Sequence, residues 1–226
     1  MLAVAVLIPA LDCEATLAEV VRGARAHVAQ VLVVDDGSRD GTAEVAAAAG
    51  AEVLRHAANR GKGAALRAGM RALRERGATH AITLDGDGQH LTDDIPALLR
   101  EVTADPDALV LGARQHAPDS LAKVRAFGNR FANRWVEIAC GASLEDTQSG
   151  FRAYPLRATL ALGCRADRFA FETEVIIRAV RAGIAIRSVP VRVWNPPAAE
   201  RVSHFRGVRD TVRIVLTVVA LILRLW

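Results

Sequence analysis

Residues 80–90 read HAITLDGDGQH. A short β-prone run, His80 to Thr83, leads directly into two aspartates that are separated and followed by glycine, Asp85-Gly86-Asp87-Gly88. An apolar run bounded by turn residues reads as a buried strand. The carboxylates therefore stand at its carboxyl end, where open α/β sheets bind ligands. Gly86 and Gly88 allow the backbone of such a turn to approach a bound molecule closely. Carboxylates of this kind bind Mg²⁺ or Mn²⁺, and the metal in turn takes phosphate oxygens, so a diphosphate is the natural third party.

Outward from this turn the chain alternates short β-rich runs with helix-length segments: AVAVLI (3–8), QVLVVD (30–35), AEVLRH (51–56), HAITLD (80–85) and ALVLGA (108–113). That alternation predicts βαβ units and a mainly parallel sheet flanked by helices, a Rossmann-like α/β architecture to about residue 115. Ile95, Leu98, Leu99 and Val102 share one helical face after a Thr92 cap. Pro118 to Cys140 reads as a further helix with Arg125, Asn129 and Asn133 on one side. A mixed region follows, with DTQSGFRAYP (146–155), a helix around FETEVIIRAVRAG and a strand in IAIRSVPVRVW. The 226 residues suffice for one large α/β domain and an appendage. The 51% hydrophobic content with only 4% aromatics describes a core of Ala, Val, Leu and Ile. The apolar start MLAVAVLIPA has no basic region before it and runs into Asp12 and Glu14, so it reads as the first strand.

The net charge of +4 is carried by arginine, since Lys62 and Lys123 are the only lysines. Arginine forks suit phosphates and anionic surfaces. No nucleic-acid reading module is present, which points to a phosphate group or a lipid headgroup. Cys13, Cys140 and Cys164 are far apart and form no CxxC pair, so neither a disulfide framework nor a zinc site is indicated.

Rival readings of the aspartate turn differ in what they require. An EF-hand loop starting at Asp85 needs glycine and glutamate where the chain has His90 and Pro96. A phosphoaspartate phosphatase is expected to carry a small residue where Gln89 stands, and a polar turn capping a strand needs no ligand at all. The second acidic pair, Asp35 and Asp36 in VVDDGSRDGT (33–42), falls in the same crevice. One of the two is a candidate to accept hydrogen bonds from a base or ribose; the alternative is capping of the next helix by Ser38 or Asp40. NRGKGAALRAGM (59–70) lacks the residues of a Walker A loop and reads as a glycine turn opening a helix whose N-terminus faces an anion.

The tail FRGVRDTVRIVLTVVALILRLW has a longest uncharged run, Ile214 to Leu223, that rises only about 15 Å against roughly 30 Å of hydrocarbon core. It cannot span a bilayer alone. Arg206, Arg209, Asp210, Arg213, Thr217 and Arg224 gather on an arc of roughly 100°. The pattern predicts a basic amphipathic helix lying in a membrane interface, or else a terminal helix docked on the protein's own core or on a second copy. The expected division is a catalytic domain over 1–200 and an interface helix over 201–226.

IPALDCEATL, VVDDGSRDGT, NRGKGAALRAG, LDGDGQH, DTQSGFRAYP and ERVSHFRGVRD occur in an order and spacing that resembles family 2 glycosyltransferases of the GT-A fold. Within these the chain looks like the branch of dolichyl- and polyprenyl-phosphate sugar synthases, over nearly its whole length. The resemblance implies that Asp85, Asp87 and Gln89 surround a divalent metal, and that Pro9, Leu11 and Asp36 line the nucleotide pocket. It also implies that Arg114, Arg125 and Asn129 hold the acceptor's phosphate, with His204 near the donor and Arg201 and Arg206 beside it. Asp12-Cys13 stands where the family usually reads Asn-Glu.

The implied reaction is inverting transfer of a sugar from a UDP- or GDP-linked donor to a membrane-borne polyprenyl phosphate on the cytoplasmic face. Such an acceptor is already a competent nucleophile, so positioning by Arg114, Arg125 and Arg206 matters more than a base. A lipid or sugar hydroxyl acceptor instead needs a carboxylate base, for which Asp146 is the leading candidate. A nucleotide-sugar-binding partner without catalysis is the reading from another class.

Overall fold

The computed structural model describes residues 2–115, 136–138, 141, 144–194 and 207–223. Among the described residues seven strands form one sheet: β1 (Val4–Ala10), β2 (Gln30–Asp35), β3 (Glu52–Arg55), β4 (His80–Thr83), β5 (Leu109–Gln115), β6 (Arg152–Pro155) and β7 (Ile186–Arg192). Their order is β3-β2-β1-β4-β6-β5-β7. The chain steps outward from β1 through β2 to β3, then returns to the other side of β1 as β4, with all of these pairs parallel. The reversal opens a crevice between the carboxyl ends of β1 and β4, where Pro9 to Leu11 and Asp85 to Asp87 emerge.

Each face of the sheet is covered by helices, as strands buried on both sides require. One face packs α1 (Glu14–Arg25), α2 (Thr42–Ala48) and α4 (Ile95–Ala104) through Leu17, Val21, Ala46, Ile95, Leu98 and Val102 against Val6, Ile8, Val31 and Val33. The other packs α3 (Lys62–Glu75), α5 (Leu156–Ala161), α6 (Ala170–Arg181) and α7 (Gly207–Ile222) against Leu7, Leu32 and Val34. Alternate residues of β1 and β2 thus serve opposite cores.

The strand β6 was not anticipated. It runs antiparallel to β4 and β5, with Thr83 and Leu111 both in register with Arg152. A fully buried arginine conceals this strand from any hydropathy pattern. Its guanidinium is satisfied by three backbone carbonyls: Nε donates to Ser149 at 2.7 Å, Nη1 to Glu172 at 2.7 Å and Nη2 to Thr147 at 2.8 Å. Because β6 runs against its neighbours, the loop that leads into it, Asp146 to Gly150, lies at the carboxyl ends of β4 and β5 and joins the crevice.

Two local expectations are corrected. Thr92 does not cap α4; a 3-10 turn, Thr92–Asp94, leads into that helix, and the Thr92 side chain lies against Gly23 of α1 instead. Thr217, expected on the outward polar arc of the terminal helix, is buried with Val218 and Leu221, which join the core beside α6. Arg181 Nη1 donates to the Leu221 carbonyl at 2.8 Å. The helix is therefore docked on the protein, while Leu216 (62% exposed), Val219, Ile222 and Leu223 (60% exposed) face outward. Among the described residues no helix is long and apolar enough to cross a membrane.

Candidate active site

A cavity of about 150 Å³ occupies the crevice. Five of the expected donor-side residues wall it: Pro9, Leu11, Asp36, Asp85 and Asp87. Lys62, Arg168 and Phe169 complete the far wall.

The β1 loop is held from the side by the β2 loop. Asp12 N donates to Ser38 Oγ at 3.0 Å, Cys13 N to Thr42 Oγ1 at 2.9 Å and Glu14 N to Asp40 Oδ2 at 3.1 Å. Asp12 takes a left-handed φ of 46°, which aspartate tolerates better than most residues. Burial pushes the Cys13 thiol up to about 12, so it is inert as a nucleophile.

Asp36 is committed to the turn that opens α3. Oδ1 meets His56 Nδ1 at 2.7 Å and accepts from Arg60 N at 3.0 Å, and Oδ2 accepts from Gly61 N at 2.7 Å. The anion expected at the N-terminus of this helix is thus the protein's own carboxylate. The Asp35 side chain turns the other way, accepting from Ser38 N at 2.8 Å and pairing with Arg55 Nε at 3.0 Å.

The turn after β4 presents the paired aspartates. Gly88 takes a φ of 71° and Gln89 N closes the turn on Asp87 Oδ1 at 3.0 Å. Gln89 lies outside the cavity wall, and its carbonyl accepts from Trp194 N at 2.8 Å. Lys62 Nζ sits 2.6 Å from Asp85 Oδ1 and 3.2 Å from Glu172 Oε1. Burial opposes the charge on Asp85, but Lys62, and to a lesser degree His90 and Arg114, hold its carboxyl below the usual range. Burial would likewise depress Lys62, and the charges of Asp85 and Glu172 more than offset this, raising it. Asp87 is pushed up to about 6, first by burial and then by the charge of Asp85. His90, whose Nε2 is 3.8 Å from Asp85 Oδ2, is driven down to about 4 by burial and stays neutral.

The charge of Asp85 adds to burial in raising the proton affinity of Asp87, so a cation at this turn would relieve the strain of ionising both. Hard oxygen donors on a glycine-rich turn fit Mg²⁺ or Mn²⁺. No third His, Cys, Asp or Glu joins them among the described residues. Around a cation held there, water and a ligand's phosphates would fill the remaining positions.

On the β5 side, Arg114 meets Asp146 in a fork: Nε to Oδ2 at 2.7 Å and Nη2 to Oδ1 at 3.1 Å. The Arg114 backbone N and Gln148 N also donate to that carboxylate, at 3.2 and 3.0 Å. Burial opposes its ionisation, and the bonds and charge of Arg114 prevail, holding Asp146 below the usual carboxylate range. Gly150 closes the gap between the two sides: a Cβ there would lie 2.7 Å from Asp85 Oδ2 and 2.8 Å from Lys62 Nζ.

The profile of the family described as Glycosyl transferase family 2 matches residues 5–152. The chain belongs to glycosyltransferase family 2. As a family 2 glycosyltransferase it resembles the undecaprenyl-phosphate mannosyltransferase of Micrococcus luteus, 34% identical over 177 residues, which cover 71% of this chain and 70% of that one. It also resembles the UDP-N-acetylglucosamine–dolichyl-phosphate N-acetylglucosaminyltransferase of Methanococcus voltae, 28% identical over 209 residues, covering 82% and 83%. In fold it matches glucosyl-3-phosphoglycerate synthase from Mycobacterium tuberculosis, crystallised with Mn²⁺, UDP and glucosyl-3-phosphoglycerate, at a TM-score of 0.73 and 23% identity over 98% of this chain and 79% of that one. The α/β fold of this glycosyltransferase is the GT-A fold.

Four expected site residues, Arg125, Asn129, His204 and Arg206, and the neighbouring Arg201, lie outside the described residues. The sequence reading overlooked Glu172 and Phe169, and it took Lys62 only as part of a turn. The available signal for Lys62 was its rarity in an arginine-rich chain.

Proposed function

We propose that this glycosyltransferase moves a sugar, with inversion, from a nucleoside-diphosphate sugar to a polyprenyl or dolichyl phosphate at a membrane surface. The observation that carries the choice of acceptor is the Arg114–Asp146 fork. A base for a hydroxyl acceptor needs a free oxygen and a raised proton affinity. Asp146 has both oxygens bonded to Arg114 and its proton affinity is lowered. A phosphate oxyanion needs no base, only a cation that fixes it in line with the sugar. Arg114, oriented by Asp146 and close enough for its charge to be felt at Asp85, suits that task.

On the donor side Pro9, Leu11 and Asp36 wall the nucleotide space, and Asp85, Asp87 and Gln89 are the proposed holders of Mg²⁺ or Mn²⁺. A divalent cation there neutralises charge that develops on the departing diphosphate. The names of the relatives from Micrococcus luteus and Methanococcus voltae support the lipid phosphate acceptor. The manganese and UDP of the Mycobacterium tuberculosis structure support the donor chemistry. The outward apolar residues of α7, with Arg206 and Arg201 before it, are proposed as the membrane-facing part of a peripheral protein.

The test is product formation on membranes containing polyprenyl phosphate, with radiolabelled UDP- and GDP-sugars and Mn²⁺, comparing the wild type with Asp87→Ala. An acid-labile labelled lipid that is absent with the variant is expected. Absence of any lipid product, with a donor that still binds in a metal-dependent way, would return Asp146 to candidacy as a base.

A further inference from the structure

Lys62 is shared by two carboxylates from distant parts of the chain. Asp85 belongs to the β4 turn and Glu172 to the first turn of α6, and both lie within ion-pair distance of Nζ. Glu172 is 5% exposed, and its Oε1 has no partner besides the Lys62 ammonium at 3.2 Å. A buried carboxylate left so incompletely paired is costly unless a charge nearby compensates it, and Lys62 is that charge. The Phe169 ring lies 5.5 Å from Nζ on another side. Gly150 leaves no side chain between the ammonium and Asp85.

Asp85 has two claims on it under the donor-binding reading. An ammonium already sits 2.6 Å from Oδ1, and a divalent cation on the same carboxylate would repel it at close range. The repulsion weakens the hold of Asp85 on the ammonium. Glu172 offers the ammonium a second anionic seat that it already touches, at 3.2 Å, while Lys62 itself stays in the cavity wall.

We infer that Glu172 is a positioning residue that keeps Lys62 in the donor cavity when Asp85 turns to a divalent cation, aiming the released ammonium at the anionic donor. The inference rests on the proposed donor chemistry. Before the donor arrives, Lys62 is the counter-ion of Asp85, 2.6 Å from its Oδ1. Afterwards the diphosphate meets positive charge from both sides. No covalent bond changes in this exchange; ion pairs swap partners.

The experiment is calorimetric titration of UDP and of GDP at a series of Mn²⁺ concentrations, with no acceptor or sugar present. Lys62→Met removes the metal's rival, so half-saturating Mn²⁺ falls several-fold while nucleotide binding without metal weakens. Glu172→Gln leaves Lys62 with Asp85 alone, so half-saturating Mn²⁺ rises several-fold. Opposite shifts are the signature, because two merely structural lesions would move both in one direction. The double variant Lys62→Met/Glu172→Gln removes the charge of Glu172 together with that of Lys62, leaves only the partly exposed Asp85 without its ammonium, and is expected to follow Lys62→Met, which keeps the test alive should either single variant fail to fold. A Mn²⁺ requirement unchanged in Glu172→Gln, or raised in Lys62→Met and the double variant, overturns the inference. Failure of the wild type to bind either nucleotide with Mn²⁺ overturns the donor reading, and the inference with it.

Discussion

Arg114 and Asp146 lock each other in place: Nε and Nη2 of the guanidinium reach separate oxygens of the carboxylate at 2.7 and 3.1 Å. The pair bridges β5 and the loop entering β6, so it fixes an arginine at the edge of the cavity without making it part of the cavity wall. Lysine cannot reproduce a two-point fork. Arg114→Lys is expected to raise KM for polyprenyl phosphate by about ten-fold or more, in line with roughly 1.5–3 kcal/mol for bonds to a charged group. Asp146→Asn should show the same KM effect. The double variant should be no worse than either single one, measured by initial rates over a range of acceptor concentrations. Loss of kcat by about 10²-fold or more in Asp146→Asn alone, with KM unchanged, would contradict the positioning role.

Asp87 supplies a pH dependence with a definite sign. Its folded proton affinity is raised to about 6 by burial and by Asp85, so the folded protein takes up a proton there more readily than the unfolded chain. Charging Asp87 therefore costs stability as pH rises from the ordinary carboxylate value towards 6. In metal-free buffer Asp87→Asn should be more stable than the wild type at pH 7, with the gap closing at pH 4, as read from urea unfolding at each pH. Metal-supported nucleotide binding should have the opposite trend and fade as pH falls below about 6.

Arg152 tests how the loop is held. Its guanidinium serves carbonyls of Thr147, Ser149 and Glu172 in a fully buried setting. Arg152→Met removes three buried bonds from a charged donor, at about 1.5–3 kcal/mol each. A loss of at least about 3 kcal/mol in unfolding free energy is expected on that count. A change below about 1 kcal/mol would mean that the loop relaxes to water, since a typical satisfied bond is worth about that much.

The outward face of α7 predicts a selective effect on membranes. Leu216 and Leu223 are 62% and 60% exposed, so replacing both with serine removes apolar surface without touching the core. Co-sedimentation with anionic vesicles is expected to drop while the thermal midpoint stays within a degree or two, since exposed substitutions rarely exceed about 0.5 kcal/mol. Undiminished sedimentation would assign the contact to some other part of the chain.

The sequence announced most of the sheet because β1, β2, β4 and β5 fall in short β-prone runs that meet Pro9, Asp35, Asp85 and Gly112 and are separated by helix-length segments. It did not announce β6, whose four residues include an arginine that is buried only because three carbonyls from elsewhere meet it. The aspartate turn was legible for the same reason as the strands: its spacing is local. The Lys62–Glu172 pairing joins residues from opposite ends of the domain and leaves no local trace, and the fork between Arg114 and Asp146 likewise depends on the antiparallel entry of β6. Asp36 was placed correctly in the crevice, yet its bonds to the 56–61 turn follow from the register of β2 and β3 rather than from any motif.

Helix α6 works as a strut. Its first turn carries Glu172 behind Lys62 of the donor cavity, and its last turn, through Arg181, grips the carbonyl of Leu221 on α7. Twelve helical residues make a stiff rod of about 18 Å, and both ends are bonded. One twelve-residue rod therefore supplies both the second carboxylate beside Lys62 and the tie that holds α7 to the rest of the fold.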